Sequence, residues 1–326
     1  MAAVPAVTVA IPVLDGAPLL SDTLAAVRAQ RVEAELELLV ADSGSTDGSR
    51  ELAAGAGATV IDIPRGEFSH GGTRNLLVSR ARGSYVAFLT QDAVPCDESW
   101  LARLLEGFRL GEDIGMVFGP YRARAGATPM VRRELEAWFT SFAPDGRPRV
   151  DRGGDATTAD RGSLARRAFF TDANGCVARR AWEQVPFRQI SYAEDQMLAR
   201  DMAAAGWAKA YHPAAAVTHS HDYPPWQLLR RAFDESRALR EVHGHRAHGG
   251  PGRVALVVQR EVRDDMALLR REGLPAGRRA AMLPRSMAHH AARTVGATLG
   301  SRADRLPARL RRLLSLERRD GFDSQC

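Results

Sequence analysis

The sequence is poor in cysteine, lysine and long apolar runs, and each shortage excludes a class of protein. Its three cysteines, Cys96, Cys176 and Cys326, are too far apart for a zinc-binding spacing, and their odd number argues against a disulfide framework. No apolar run approaches the ~18 residues that a membrane-spanning helix needs. The first residues lack the charged segment and apolar core of a signal peptide. We therefore expect a cytoplasmic protein.

Positive charge is carried almost entirely by arginine, and its excess lies at the end of the chain. Lys209 is the one lysine, and the net charge is +6. Residues 250–326 hold 16 arginines and 8 acidic residues, a net charge of +8, so the preceding residues carry −2. This segment could contact an anionic membrane, at the inner face of the plasma membrane. The alternative is a set of arginine-rich helices that pack together. We expect no nucleic-acid partner, and the oligomeric state stays open.

Apolar segments of strand length alternate with helical patterns over the first third of the chain. Strands are predicted at 7–12, 36–41, 59–63, 85–89 and 116–119, and helices at 19–30, 49–54, 71–81 and 98–109. This alternation predicts an α/β fold with a mostly parallel sheet flanked by helices. Further helices are predicted at 130–142, 193–205 and 226–242, with arginine-rich helices beyond residue 249.

These patterns predict two domains. Residues 1–225 would form the sheet domain, with a nucleotide-binding half of about 1–120 and an acceptor-binding half of about 121–225. Residues 226–326 would form an α-helical C-terminal extension. The polar segment 144–162 is predicted to be a loop.

The second predicted strand ends at a carboxylate that a ligand could reach. Asp42 follows an apolar run, and the small residues 43–48 form a turn into the next helix. Glycine in such a turn, here Gly44, allows close approach of a ligand, and free backbone N–H groups suit an anion. Asp42 could accept hydrogen bonds from a nucleoside base or from ribose. The alternative is an ordinary strand-to-helix turn.

A glycine-rich segment opens the third predicted helix. Gly71 and Gly72 start this helix, and Arg74 and Asn75 lie in its first turn. A cation and amide donors at a helix N-terminus suit an anionic diphosphate. The alternative is a structural Arg74 that pairs with a nearby acid.

Asp92 comes just after the apolar run 85–89 and is a predicted metal ligand. Mg²⁺ and Mn²⁺ prefer oxygen ligands, and Mn²⁺ also accepts imidazole. His219 and His221 alternate along the chain, so both side chains would face the same side of an extended segment. Either histidine could join Asp92 on one divalent ion. The alternative for Asp92 is a role in forming a turn.

Two neighbouring acids, Glu194 and Asp195, start the helix predicted at 193–205. Acids at a helix start are favoured by the helix dipole, so both could simply cap the helix. The functional alternative makes Asp195 a general base that takes a proton from an attacking hydroxyl, with Glu194 beside it.

Five segments together, spread from near Val7 to about Arg240, are similar to the family 2 glycosyltransferases with the GT-A fold. Val9 to Pro12 resembles the first strand of the family, Ala41 to Gly48 its nucleotide-binding turn, Thr90 to Asp92 its D-x-D motif, Glu194-Asp195 its E-D motif and Val217 to His219 its late metal-binding histidine. The resemblance implies that Pro12 lies at the donor site and that Asp195 is the base. Thr90 departs from the pattern, because D-x-D begins with an acid.

Within that family, residues 68–75 and 89–93 most resemble the rhamnosyltransferase-type branch. That resemblance implies dTDP-rhamnose as the donor and a polysaccharide, glycolipid or lipid-linked acceptor of the cell envelope. It also places the acceptor near residues 171–175, and segment 144–162 could close over the donor as a lid.

The predicted function is an inverting glycosyl transfer that uses one Mg²⁺ or Mn²⁺ ion. One alternative is a nucleotidyltransferase, but residues 12–16 lack the glycine-rich basic loop that such an enzyme usually carries after its first strand. The other is a non-catalytic nucleotide-sugar-binding partner of another transferase. The missing acid at Thr90 supports this second alternative, and the intact Glu194-Asp195 pair opposes it.

Overall fold

The computed structural model describes residues 7–152, 169–190, 192–244, 247 and 249–317. Within these residues the chain divides into two compact units. The first unit comprises the described residues of Met1–Arg124, Glu136–Gln189 and Glu194–His219, and the second those of Ala125–Leu135, Ile190–Ala193 and Ser220–Cys326. The domain boundaries expected from the sequence, 1–225 and 226–326, stay predictions.

The first unit contains all the described strands. They are Val7–Val13 (β1), Leu36–Asp42 (β2), Thr59–Asp62 (β3), Tyr85–Leu89 (β4), Val94–Pro95 (β5), Ile114–Phe118 (β6), Tyr121–Arg122 (β7), Arg149–Asp151 (β8), Asn174–Ala178 (β9), Ala208–Tyr211 (β10) and Val217–Thr218 (β11).

Among the described residues, seven α-helices precede or connect these strands. They are Ala17–Arg28 (α1), Ser49–Gly55 (α2), His70–Arg80 (α3), Trp100–Phe108 (α4), Pro129–Thr140 (α5), Arg179–Trp182 (α6) and Glu194–Ala204 (α7). The residues of α5 up to Leu135 belong to the second unit.

Eight strands form one sheet in the order β3-β2-β1-β4-β9-β6-β10-β8. Strands β1 to β4 pair in parallel, as do β6 and β10, whereas β9 runs antiparallel between β4 and β6. The prediction of a mostly parallel sheet flanked by helices is therefore confirmed. Strands β5, β11 and β7 form a second, small sheet.

The central strands are apolar because both of their faces are buried. Val9, Ile11, Val86 and Phe88 have no exposed side-chain surface, as is typical of parallel strands covered by helices on both sides. Since β1, β2 and β4 are parallel, their carboxyl ends share one edge of the sheet, and the segments that follow these strands meet there.

The second unit is helical. Its helices beyond α5 are Pro225–His243 (α8), Pro251–Arg271 (α9), Ala276–Gly300 (α10) and Ala308–Leu314 (α11). The predicted helical C-terminal extension is thus confirmed. None of the helices described here has both the length and the apolar character needed to span a membrane.

Two predicted segments differ from the structure or extend beyond it. The extended segment expected at 217–221 forms a strand only at Val217–Thr218. The predicted lid, 144–162, contains the short strand β8, which pairs with the sheet edge at β10. Residues 153–162 of that lid lie outside the described residues, so its closure stays a prediction.

Candidate active site

Asp42 ends β2 with half of its carboxylate engaged by the following turn. Its Oδ1 accepts hydrogen bonds from the backbone N–H groups of Gly44 and Ser45, each at 3.0 Å. Gly44 has φ +87°, a left-handed conformation that glycine adopts without strain. The Oδ2 atom of Asp42 is buried and, among the described residues, has no hydrogen-bond partner. An ordinary turn explains only the first oxygen, and the second is an acceptor that a bound ligand can use.

The loop after β1 connects the Asp42 turn to the segment that carries Asp92. The backbone N–H of Asp15 donates to Ser45 Oγ at 3.0 Å, and that of Thr46 donates to Asp15 Oδ1 at 2.8 Å. The Gln91 side chain accepts from the backbone N–H of Leu14 at 2.8 Å and donates to its carbonyl at 3.2 Å. Asp15 and Gln91 were not predicted as site residues, because nothing in the local pattern links two loop residues 76 positions apart.

Pro12, implied to lie at the donor site, is half-buried in β1. It lies in register opposite Ala41, one residue before Asp42. The structure therefore places Pro12 at the same edge of the sheet as the Asp42 turn.

Asp92 and His219 form a close donor pair. His219 Nδ1 lies 3.3 Å from Asp92 Oδ2, and both side chains are largely buried. The backbone N–H of His219 donates to the Arg122 carbonyl at 2.9 Å, which fixes the histidine next to the small sheet. A carboxylate oxygen beside an imidazole nitrogen fits Mn²⁺ well and Mg²⁺ in part. Arg124 Nη2 also lies near, 3.5 Å from Asp92 Oδ2.

The other predicted metal-site residues are placed differently. Thr90 contributes a buried hydroxyl that has no hydrogen-bond partner among the described residues, where the family motif has an acid. His221 belongs to the second unit, and its ring stacks on Tyr223 at 5.4 Å between centroids. The choice between His219 and His221 as the ligand stays a prediction, and the geometry within the first unit supports His219.

Arg74 is buried in α3 and contacts two carboxylates. Its guanidinium forms ion pairs with Asp172 and with Glu194 Oε1, the latter at 3.0 Å, and donates to the His70 carbonyl at 3.0 Å. Burial lowers the pKa of Arg74, but Asp172 and Glu194 together more than offset this, so the net pKa is raised. These contacts match the structural alternative left open by the sequence. The predicted diphosphate role of Arg74 stays a prediction.

Gly71 and Asn75 also contact the protein itself. A Cβ at Gly71 would collide with the backbone carbonyl oxygen of Arg188, so this helix start needs glycine for packing. The Asn75 amide donates to the Phe187 carbonyl at 2.8 Å and accepts from Trp182 Nε1 at 2.8 Å. Donor-binding roles for both residues remain predictions.

Asp195 lies at the start of α7 among other acids. It is half-buried, and its Oδ1 accepts from the backbone N–H of Gln196 at 2.7 Å. Burial first, and then repulsion from Asp172 and Glu194, raises the pKa of Asp195 well above that of an ordinary aspartate. Burial, and then the neighbouring Glu194, raises the pKa of Asp172 to about 7 against the opposing effect of Arg74. A strongly perturbed carboxyl in such a place is a candidate proton acceptor.

Tyr121 lies against the His219 ring and contacts Thr171, the neighbour of Asp172. Its ring meets the His219 ring edge-to-face at 4.9 Å, and its hydroxyl contacts Thr171 Oγ1. Burial first, and then the charges of Asp195, Asp172 and Asp92, raises the pKa of the Tyr121 hydroxyl. Carboxylates from three separate segments of the chain therefore act on the Tyr121 hydroxyl. The sequence did contain a signal for Tyr121, because this residue directly follows the Gly-Pro turn after β6.

The predicted acceptor segment, 171–175, is partly occupied by structural contacts. Asn174 is fully buried; its amide donates to the carbonyls of Pro120 and Ala215 at 3.1 and 2.9 Å, and accepts from Trp100 Nε1 at 2.8 Å. Asp172 forms an ion pair with Arg74, and Thr171 contacts the Tyr121 hydroxyl. Acceptor binding at this segment stays a prediction.

The site residues and the sheet order define a GT-A type of nucleotide-sugar fold, and the family is established by comparison. A family model described as "Glycosyl transferase family 2" matches residues 8–172. The chain belongs to this family. The expected family resemblance is therefore confirmed.

Two curated relatives from Salmonella are named as rhamnosyltransferases. The chain is 32% identical over 202 residues to the O-antigen chain rhamnosyltransferase WbaN of Salmonella anatum, covering 61% of each protein. It is 30% identical over 233 residues to the O-antigen chain rhamnosyltransferase RfbN of Salmonella typhimurium, covering 70% of each. The match thus spans about three fifths of the first relative and seven tenths of the second.

Solved structures share the fold. A mannosyltransferase from Pyrobaculum calidifontis, in complex with GDP-Man and Mn²⁺, aligns with a TM-score of 0.60 and 16% identity, over 94% of this chain and 89% of that one. Glucosyl-3-phosphoglycerate synthase from Mycobacterium tuberculosis, in complex with Mn²⁺, UDP and phosphoglyceric acid, aligns with a TM-score of 0.52 and 19% identity, over 75% and 81%. These likenesses confirm the GT-A fold.

Proposed function

We propose that the protein is an inverting glycosyltransferase that moves a sugar from a nucleoside diphosphate donor to a hydroxyl of a polysaccharide, glycolipid or lipid-linked acceptor. The names of the two Salmonella relatives support rhamnose as the sugar, with dTDP-rhamnose as the donor. The Mn²⁺ and nucleotide-sugar ligands of the structural neighbours support a divalent ion and a nucleotide donor.

One observation carries this proposal: Tyr121 lies within electrostatic reach of Asp92, Asp172 and Asp195 and against the His219 ring. The proposed metal ligands, Asp92 and His219, and the proposed base, Asp195, are thus grouped around one tyrosine. Asp42, which ends a parallel strand of the same sheet, keeps one carboxylate oxygen available to the donor. A donor diphosphate at Asp92 would place its sugar toward the acidic cluster.

Each residue then takes a separate role. Asp42 Oδ2 accepts a hydrogen bond from the base or ribose of the donor. Asp92 and His219 would hold the divalent ion, which would supply positive charge to the departing diphosphate. Arg74 positions Asp172 and Glu194, and through them the start of α7.

Asp195 acts as the general base. The acceptor hydroxyl oxygen forms a bond to the anomeric carbon while the bond from that carbon to the diphosphate oxygen breaks. The hydroxyl proton passes to Asp195, and the nucleoside diphosphate leaves with the bonding electrons. Because burial raises the pKa of Asp195, the group holds an abstracted proton well, and general-base catalysis of this kind is worth ~10²–10⁴-fold in rate.

The test is donor turnover with dTDP-rhamnose and Mn²⁺, with the polysaccharide precursor of the host as the acceptor. We expect Asp195→Asn to lose at least ~10²-fold in kcat while calorimetry shows donor affinity retained. Asp201→Asn, on the same helix, is the matched control and should keep its activity. An Asp195→Asn enzyme with unchanged kcat would remove the base assignment.

A second candidate, a non-catalytic nucleotide-sugar-binding protein, is favoured by one observation. Thr90 lacks the acid of the family motif, and Arg124 brings a fixed cation 3.5 Å from Asp92. This alternative predicts donor binding that does not need Mn²⁺, together with no turnover in any acceptor assay. The same calorimetry, with and without Mn²⁺, separates the two candidates.

The helical region from residue 250 is proposed to contact the anionic inner face of the plasma membrane. In α11, Leu310 and Leu313 are exposed on a helix that also carries Arg309, Arg311 and Arg312. Apolar side chains on a basic helix are typical of interfacial binding, and each cation near such lipid adds ~1 kcal/mol. Residues 318–326 lie outside the described residues.

Vesicle flotation tests this contact. We expect the protein to float with phosphatidylglycerol vesicles and not with phosphatidylcholine vesicles. The double variant Leu310→Glu/Leu313→Glu should reduce flotation, whereas Leu52→Glu, at an exposed leucine of α2, should not. Equal flotation of all variants would end the membrane proposal.

A further inference from the structure

Within the second unit, two adjacent histidines and a glutamate bring three ligand atoms together. His289 and His290 lie in α10, and Glu134 lies in α5. His289 Nε2 is 3.3 Å from Glu134 Oε2, and His290 Nδ1 is 3.4 Å from Glu134 Oε1. All three ligand atoms lie within 4.8 Å of one another, and both histidines are buried. No role in the glycosyl transfer proposed above uses this cluster.

Asp265 of α9 sets the orientation of His290. The Asp265 Oδ2 atom lies 2.7 Å from His290 Nε2, so Nε2 carries the proton and donates it. Asp265 is fully buried and also accepts from Ser286 Oγ at 2.6 Å and from Arg133 Nε at 2.5 Å. A carboxylate that accepts from the far nitrogen of a histidine is the usual outer-shell partner of a metal-bound histidine. In neutral His290, the Nδ1 lone pair then faces Glu134.

The separations between ligand atoms match a metal better than a shared proton. A charged N–H···O⁻ hydrogen bond is typically ~2.7–2.9 Å long, shorter than the 3.3 and 3.4 Å at Glu134. Tetrahedral zinc, with bonds of ~2.0–2.1 Å to nitrogen and oxygen, places neighbouring ligand atoms about 3.3–3.4 Å apart. The distance from His289 Nε2 to Glu134 Oε2 and the distance from His290 Nδ1 to Glu134 Oε1 both fall in that range, so each histidine faces its own oxygen of the carboxylate.

The carboxylates around the cluster are all paired with arginines. Arg133 pairs with Asp265 and Glu261, Arg260 also pairs with Glu261, and Arg293 pairs with Glu134. Three carboxylates thus meet three guanidinium groups, and the proposal rests on the placement of the ligand atoms.

We propose that Glu134, His289 and His290 bind a divalent transition metal ion of the zinc class, separate from the ion of the donor site. Two imidazoles and one carboxylate are a ligand set that zinc accepts, with a fourth position for water. The ion would tie α5 to α10, two helices far apart in sequence, so its role is structural stabilisation of the second unit.

The experiment uses full-length protein in which His219→Ala removes the donor-site pair. After chelator treatment and dialysis, Zn²⁺ is titrated by calorimetry, and bound zinc is measured after gel filtration. We expect one equivalent of zinc and a melting midpoint several degrees higher with zinc, since a ligand bound only by the folded state stabilises it. Co²⁺ in its place should give the visible absorption of a tetrahedral site.

Adding His289→Ala or Glu134→Gln should weaken zinc binding at least 100-fold and abolish the shift of the melting midpoint. Glu134→Gln keeps the side-chain shape, so it serves where the alanine variant fails to fold. The matched control is His212→Ala, at a buried histidine 3.4 Å from Glu106 in the first unit, and it should keep the zinc equivalent. No zinc bound in the His219→Ala protein, or zinc retained at full affinity by both cluster variants, would overturn the proposal and leave a protonated His290.

Discussion

Replacing Arg74 with methionine tests whether this residue supports the site or binds the donor. The Arg74 side chain is 4% exposed, and its two carboxylate partners, Asp172 and Glu194, are 9% and 7% exposed. Methionine fills similar volume but leaves two carboxylates buried with no cation. Breaking a buried ion pair from one side costs ~3–5 kcal/mol, a large part of the ~5–15 kcal/mol that stabilises a typical protein.

The assay is urea unfolding of wild type and Arg74→Met, followed by tryptophan fluorescence at constant pH. We expect the free energy of unfolding to fall by ~3–5 kcal/mol and the loss to shrink at low pH, where the carboxyls take up protons. A second change, Asp172→Asn, made in the Arg74→Met protein should recover part of the loss, because it removes one unpaired charge.

The opposite result would assign Arg74 to the donor. A loss of stability below ~1 kcal/mol, the size expected of an exposed ion pair, together with a large loss of affinity for the nucleotide sugar, would refute the positioning role. It would restore the diphosphate role expected from the sequence.

Three further outcomes are expected. Asp42→Asn keeps the acceptor oxygen for the turn but places an amide NH₂ where Oδ2 stands. Calorimetry should show donor affinity ~10–100-fold weaker, the equivalent of a lost charged hydrogen bond of ~1.5–3 kcal/mol. Unchanged affinity would contradict the ligand role of Asp42. Gly71→Ala should destabilise the protein by ~1–3 kcal/mol because the added Cβ meets the Arg188 carbonyl. The control Gly66→Ala places its Cβ in open space and should change stability by less than ~0.5 kcal/mol. Equal losses of stability in the two variants would refute the need for glycine at position 71. The pKa of Asp172 is raised to about 7, so the folded state holds a proton that the unfolded state releases near pH 4. The contribution of this residue to stability is therefore greatest below pH ~4 and is lost as pH rises through 7. Unfolding free energies measured from pH 4 to 8 should show this fall in wild type and a flatter profile in Asp172→Asn, and parallel profiles would argue against the raised pKa.

Local patterns were enough for the elements of the fold. The strand at 85–89 agrees with the structure at both ends, and the strands at 7–12 and 36–41 differ from it by one residue each. Short apolar runs bounded by turn residues carry this information in the chain itself, because a buried parallel strand needs apolar residues on both faces. The antiparallel β9 between β4 and β6 was not predicted, since its partners lie 85 to 93 residues and about 60 residues away along the chain.

The candidate site also has a part that the sequence alone predicts and a part that depends on the tertiary structure. That Asp42, Asp92, Asp195 and His219 are chemically capable side chains at the ends of elements follows from the sequence alone. Only tertiary structure shows that Arg74 is paired with two acids, that Tyr121 packs against the His219 ring, and that Glu134 meets two histidines 155 and 156 residues later. Residue type and spacing determine what a side chain can do, whereas pairing of charges and burial depend on which distant segments pack together, and these in turn decide which role each side chain takes.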